Sequence, residues 1–155
     1  MLRGGPGNDT LYGGNSSDRE GGSSSVTDTK YLYGDEGHDI IFSSDDLDFE
    51  YIWGGSGDDT IRGGNRVINT FINGNEGNDI IIPGDNSEDN SNILSSIIKG
   101  GKGDDIISPS TIVFNADGSV NFSDSNFGSS DHAGINWDGG DGDDIIWGNL
   151  NGYGD

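Results

Sequence analysis

The sequence predicts an all-β solenoid of about six coils, a parallel β-roll whose two sheets face each other across a thin core. Three observations predict it. A nonapeptide rich in Gly and Asp recurs six times, the apolar residues around its turn keep a constant spacing, and the composition supplies too few large aliphatic side chains for a thicker core.

The six copies are GGPGNDTLY from Gly4, GDEGHDIIF from Gly34, GGSGDDTIR from Gly54, GNEGNDIII from Gly74, GGKGDDIIS from Gly100 and GGDGDDIIW from Gly139. Positions one and four are always Gly. Position six is always Asp (Asp9, Asp39, Asp59, Asp79, Asp105, Asp144), and position eight is always Leu or Ile (Leu11, Ile41, Ile61, Ile81, Ile107, Ile146). Self-similarity of this kind marks a solenoid whose units bury their apolar face only against their neighbours. Two residues ahead of the later five copies stands another apolar residue: Leu32, Ile52, Ile72, Ile98 and Trp137. Each lies nine positions before the position-eight residue of its own copy, whereas the steps across the other side of the coil run to 21, 11, 11, 17 and 30 residues. One edge of the roll is therefore held at constant length, and the other takes insertions. Eleven apolar side chains, six from position eight and five from the degenerate positions, are expected to line the core.

Chemistry explains the constrained edge. Glycines permit positive φ and close backbone approach, giving a tight turn whose carbonyls can point inward. The Asp supplies a carboxylate at the end of the turn, and the last three residues enter a short β-branched strand. Stacked coils place equivalent Asp residues about 4.8 Å apart. Two unit charges at that distance repel by roughly 1 kcal/mol in water and about 3–4 kcal/mol at an effective dielectric of 20. Six stacked carboxylates therefore call for a counter-charge between coils.

The composition agrees. The 155 residues argue for one domain, yet only 29% are hydrophobic and the formal net charge is −21, from 28 Asp+Glu against 7 Lys+Arg. Low hydrophobicity with high charge reads as disorder unless the charge is neutralised, and a hard cation held by oxygen ligands would do that. Burial in the thin core does not obviously offset the entropy of ordering the chain without metal, so cation binding is expected to be coupled to folding. Without cysteine there are no disulfides or thiolate metal sites. The acidic surface argues against nucleic acid and against an anionic membrane. No stretch is long enough to cross a bilayer, and Met1-Leu2-Arg3 leads into Gly4-Gly5 with no apolar signal region.

These residues resemble the repeats-in-toxin (RTX), or hemolysin-type, calcium-binding nonapeptide, G-G-x-G-x-D-x-U-x with U a large aliphatic residue. The resemblance implies that the first six residues of each copy form a calcium-binding turn and the last three a short strand, with adjacent turns sharing each ion. The implied ligands are the side chains of Asp9, Asp39, Asp59, Asp79, Asp105 and Asp144. Backbone carbonyls of Gly5, Gly7, Asp35, Gly37, Gly55, Gly57, Asn75, Gly77, Gly101, Gly103, Gly140 and Gly142 complete the set. Five gaps between six turns imply about five Ca²⁺. Asp35 and Asn75 depart from the pattern at position two, where a need for positive φ would suit Asn better than Asp. In the family both edges often carry the motif. Here GGNSSD from Gly13 lacks the fourth glycine and Asp48 falls in a glycine-free loop, so both read as solvated loop carboxylates. The resemblance further implies type I secretion, folding triggered by external calcium, and service as a structural, secretion-linked domain of a larger exported protein with flanking domains. Residues 1–155 read as one such domain, which begins on a motif and stops inside one, and is expected to be a piece of a longer polypeptide.

Insertions are placed at residues 13–30, 83–96 and 109–135. The first two are Ser/Asn/Asp/Gly-rich and read as flexible loops. In the third, alternation around Asp117-Gly118 reads as a β-hairpin. Outside the core, Tyr31, Tyr33, Tyr51, Trp53 and Phe71 should stack on one exterior face, and Ile40, Phe42, Ile80, Ile82, Ile106, Ile145 and Trp147 should lie on the other. Exposed apolar patches can be binding surfaces. They raise an alternative function, an adhesin-like module that binds an extracellular ligand such as glycan through the aromatic face or the 109–135 insertion. Position three (Pro6, Glu36, Ser56, Glu76, Lys102, Asp141) is too irregular and charged for an ice-binding array. An enzyme is not expected: there is no Cys nucleophile, no G-x-S-x-G and no H-E-x-x-H. Asp58-Asp59 belongs to the repeat, His38 occupies the variable position five and should face solvent, and His132 has no nucleophile nearby.

Overall fold

The computed structural model describes residues 1–14, 29–43, 47–64, 67–84, 93–108, 111–116, 119–123 and 135–147. In every coil a longer strand runs into the nonapeptide and a shorter one leaves it. The first coil holds β1 (Leu2–Pro6) and β2 (Thr10–Tyr12). The second holds β3 (Lys30–Glu36) and β4 (Ile40–Phe42), followed by β5 (Leu47–Asp48). The third holds β6 (Glu50–Ser56) and β7 (Thr60–Arg62), followed by β8 (Val67–Ile68). The fourth holds β9 (Phe71–Glu76) and β10 (Ile80–Ile82), followed by β11 (Ile93–Leu94). The fifth holds β12 (Ile97–Lys102) and β13 (Ile106–Ile107), then β14 (Thr111–Phe114) and β15 (Val120–Ser123). The sixth holds β16 (Asn136–Asp141) and β17 (Ile145–Ile146).

The longer strands form one six-stranded sheet, β1-β3-β6-β9-β12-β16, and the shorter ones another, β17-β13-β10-β7-β4-β2. Every pairing within them is parallel, as expected when each strand returns to its starting side after one full coil. The register sets like residues over like. Leu32, Ile52, Ile72, Ile98 and Trp137 follow one another across the first sheet, and Leu11, Ile41, Ile61, Ile81, Ile107 and Ile146 across the second. This is the two-sheet roll of about six coils that the repeats predicted.

Three features differ from the sequence reading. Strand pairing continues through position three, as in Gly5 with Asp35 and Pro6 with Glu36, so the turn proper is confined to positions four to six. The second edge is not built only of loops. Strands β5, β8 and β11 stack there as a third parallel sheet, short segments that fall into line with one another as the constant-length turn edge sets the coils in register. Finally, Leu2 pairs with Leu32 and is the first member of the degenerate apolar row, which the spacing argument began one coil too late.

Nine of the eleven expected core residues are buried: Leu11, Leu32, Ile41, Ile52, Ile61, Ile72, Ile81, Ile98 and Ile107. The other two are corrections. Trp137 is only partly buried against this cluster, and Ile146 is 44% exposed. Both stand on β16 and β17, the last strands in their sheets, with no described coil beyond them.

On the outer surface of the first sheet the aromatic row forms as expected. Tyr33 stacks on Trp53 at 4.7 Å with ring planes 2° apart, and Tyr31 on Tyr51 at 5.2 Å. The rings stand on edge, so they spend their faces on one another; Phe71 leans against Trp53, and the Arg3 guanidinium lies over Tyr33. On the second sheet Tyr12 stacks on Phe42, and Ile40 and Ile145 are exposed. Strands β14 and β15 pair antiparallel with each other; residues 117–118, where the turn was expected, lie outside the described residues, as do residues 15–28 of the first insertion and 85–92 of the second.

The core makes a simple prediction. Ile72→Ala removes a side chain sealed on both sides and should cost about 2–5 kcal/mol of roll stability, whereas Ile146→Ala should cost a small fraction of that. Chemical denaturation of both variants in the same buffer checks it, and equal losses would mean that the core does not run along the roll axis as described.

Candidate metal centre

Each turn begins where the chain leaves the first sheet. Positive φ occurs at position two in Gly5, Asp35, Gly55, Asn75, Gly101 and Gly140, and at position four in Gly7, Gly37, Gly57, Gly77, Gly103 and Gly142. Asp35 and Asn75 take φ of 81° and 82°, so both departures from Gly adopt the left-handed conformation. Asp35 is further held by the Arg3 guanidinium.

The glycine at position one has a different reason. It does not appear among the positive-φ residues; it is small because something else occupies the space. A Cβ on Gly34 would overlap both the Oδ2 of Asp39 and the carbonyl oxygen of Gly54 in the next coil. The same holds at Gly54 with Asp59 and Gly74, at Gly74 with Asp79 and Gly100, and at Gly100 with Asp105 and Gly139. The missing side chain is the niche into which the position-six carboxylate folds.

That carboxylate is used on one side only. Its Oδ1 accepts the backbone N–H of the equivalent Asp in the preceding coil: Asp39 from Asp9 at 2.7 Å, then Asp59 from Asp39, Asp79 from Asp59 and Asp105 from Asp79 at 2.8 Å, and Asp144 from Asp105 at 2.9 Å. The Oδ2 atoms of Asp9, Asp39, Asp59, Asp79 and Asp105 are buried and accept no hydrogen bond. Asp39, Asp59, Asp79 and Asp105 are at most 1% exposed, while Asp9 and Asp144, at the two ends of the row, are half-buried. An unsatisfied buried oxygen costs about 1–3 kcal/mol, and more when charged.

Burial shows in the titration of the central members. It pushes the Asp79 carboxyl up to about 7 and those of Asp59 and Asp105 to about 6, with the neighbouring carboxylates adding to the rise against the favourable N–H bonds.

Backbone carbonyls surround these oxygens. Those of position one (Gly54, Gly74, Gly100, Gly139) converge with Oδ2 on the preceding coil's niche. They are absent from the ligand set drawn from the sequence, which named positions two and four. The carbonyls of Asp35, Asn75 and Gly101 at position two, and of Gly7, Gly37, Gly57, Gly77 and Gly103 at position four, lie against the Cα of the equivalent glycine in the next coil. They point along the roll axis rather than inward. Among the described residues no three His, Cys, Asp or Glu side chains converge on one point, so a cation here would draw most of its ligands from carbonyls. Hard, all-oxygen, carbonyl-rich donors of this kind fit a divalent cation that tolerates irregular, high coordination.

A second ladder runs beside the first in the opposite direction, and sequence reasoning missed it. The position-five side chain of each coil accepts the position-five N–H of the next: Asn8 from His38, His38 Nδ1 from Asp58, Asp58 from Asn78, Asn78 from Asp104, and Asp104 from Asp143, all at 2.8–2.9 Å. His38 is exposed, as expected, but its ring is engaged. The signal was present, since Asn8, His38, Asp58, Asn78, Asp104 and Asp143 are all acceptors. Of the second-edge candidates, Asp18 lies outside the described residues and Asp48 is placed only as backbone in β5.

Compared with known families, the sequence model described as RTX calcium-binding nonapeptide repeat (4 copies) matches residues 1–19, 31–50, 51–65, 69–87, 95–109 and 138–151, which take in all six turns. No curated protein and no solved structure matches the chain.

Two predictions follow from the geometry. Gly74→Ala should destabilise the roll by about 1–3 kcal/mol through overpacking against Asp79, while Gly5→Asn, at an open site where Asn75 already shows the conformation is accessible, should cost less than about 1 kcal/mol; thermal melts compare them. The second concerns pH. Carboxyl groups raised in the folded state from about 4 bind more protons folded than unfolded. The cation-free roll is thus favoured below pH 4 and loses that stability as pH rises through 6–7. In EDTA, lowering the pH from 8 to 5 should increase β content by circular dichroism; a spectrum indifferent to that change would mean the central Asp residues are not buried as charges.

Proposed function

The chain belongs to the RTX calcium-binding nonapeptide repeat family, and from that premise we propose that this calcium-binding structural repeat module folds when Ca²⁺ enters the gaps between its turns. In this reading each ion meets the bare Oδ2 of a position-six Asp, with carbonyls of the two adjoining turns filling the remaining positions. The observation that carries it is the row of five buried carboxylate oxygens without a hydrogen-bond partner, which a cation would satisfy and water-free protein cannot. About five divalent ions would bring the net charge from −21 to −11, a far less repulsive state for a compact chain.

Metal binding and folding are one process in this scheme, because the ligands come from separate coils and no gap exists in the unfolded chain. Calcium outside the cell would then act as the folding trigger of a domain that stiffens, and assists export of, a larger secreted protein. Mg²⁺ should substitute poorly, since its short, near-octahedral bonds and tightly held waters suit a carbonyl-lined gap badly.

Far-UV circular dichroism in EDTA, followed by Ca²⁺ or Mg²⁺, should show a coil-like chain becoming β-rich with Ca²⁺ alone; a full β spectrum in EDTA at pH 8 would sink the coupling. Asp79→Ala, mid-row, should lose about 1–3 kcal/mol more of calcium-supported stability than Asp9→Ala at the row's end, because it strips a ligand from a gap enclosed on both sides. Equal losses would show that each Asp acts alone.

A further inference from the structure

The outer face of the first sheet changes character along the roll. Its outward row nearest the turns reads Tyr33, Trp53, Asn73, Lys99 and Asp138 in register. The aromatic part ends at Trp53, which stacks on Tyr33 on one side. Phe71 leans against it at a tilt of 46° and leaves the indole half-buried. From Asn73 onward the surface opens into a groove of about 450 Å³. Its floor is low because position two is Gly101 and then Gly140, and its far wall is the position-three pair Glu76 and Lys102. The groove lies beside the turns, at the edge of the sheet away from the insertions. It faces outward from the sheet, so a coil stacked along the axis would lengthen it and not cover it.

We propose that this groove binds a neutral saccharide chain lying along the roll axis. The charge pattern selects that class. In a chain of net charge −21 the groove is neutral, because Lys99 pairs with Asp138 at 3.1 Å on one wall and Lys102 with Glu76 at 2.7 Å on the other. An anion or a cation would find each of these charges taken and would have to break a pair to bind. A hydroxyl would not. It donates to a carboxylate and accepts from an ammonium at the same time, so sugar hydroxyls bridge the pairs and leave them intact. Two amides add to the donor set. Asn73 turns its Oδ1 to the Asn75 N–H, which directs its NH₂ group away from that bond, and Asn75 lines the groove beside it. The open part of Trp53 supplies an apolar surface for the C–H face of a sugar ring, so the aromatic row contributes its last member. The volume falls in the range of about 300–1,000 Å³ usual for small-ligand sites. Coils follow one another at about 4.8 Å, so a groove crossing three of them suits linked rings better than a single one. The site uses side chains of the first sheet alone and does not depend on which ion fills the gaps between turns.

Titration calorimetry on the folded roll tests this, with circular dichroism on the same samples. The probes are neutral gluco-, manno- and galacto-oligosaccharides, set against uronate oligomers and chitosan oligomers as the anionic and cationic arms. At least one neutral series should bind, with affinity rising from the monosaccharide to the trisaccharide. Asn75→Gly should weaken that binding roughly tenfold with the β spectrum unchanged, since Gly55 and Gly101 hold the same position in the coils on either side. Asn73→Val, a strand-favouring change, should weaken it by a similar factor. Ile40→Thr, on the outer face of the second sheet between Thr10 and Thr60, should leave it unchanged. A folded roll that takes up none of the neutral series at about 10 mM overturns the proposal and leaves the calcium reading standing. Binding confined to the uronate or the chitosan arm overturns it too, as does neutral binding that survives both Asn73→Val and Asn75→Gly or is lost in Ile40→Thr.

Discussion

Everything in this molecule is arranged around a buried carboxylate with one oxygen satisfied and one bare. The backbone brings an Asp to the same place in every coil, locks its Oδ1 with an N–H from the coil before, and seals it from water. The bare Oδ2 is unfavourable in isolation, and a stack of them is worse, since each charge sees its neighbours through protein rather than solvent. The fold is therefore complete in geometry and incomplete in charge. Its stability depends on whatever neutralises that row, a proton or a metal ion.

The spacing of the coils follows from the same feature. Position-one glycines let the carboxylate lie flat on the backbone, and position-two and position-four residues turn their carbonyls along the axis against the next turn. Side chains at the first position would push the coils apart and break both ladders at once. Ile and Leu rows behind the turn then pack at the distance the turns impose, which is why one apolar residue per strand suffices for the core.

The fold was largely legible because its period is written in residues that have little freedom. The nine-residue interval from Leu32 to Ile41 and its repeats fixed two sheets and one rigid edge. What was not legible falls into three physical classes. The third sheet is made of two-residue strands such as Val67–Ile68, too short to show any alternation. The facing of the carbonyls could not be read because a sequence does not say which way a peptide plane points; hence the convergence of the position-one carbonyls on Oδ2 was not foreseen, and of the two reasons given for Gly, positive φ and close approach, only the second applies at position one. The position-five ladder was hidden by chemical variety, since Asn78, His38 and Asp104 look unrelated until each is seen as an acceptor for one N–H.

The two opposed ladders have a mechanical meaning. Their hydrogen bonds lie along the roll axis, so a pull in that direction is not shared among coils as it would be across strands sheared side by side. Each gap carries the whole load, like a link in a chain. Tensile strength is then set by the weakest gap and not by the number of coils, and the first gap to open is the point where the roll parts.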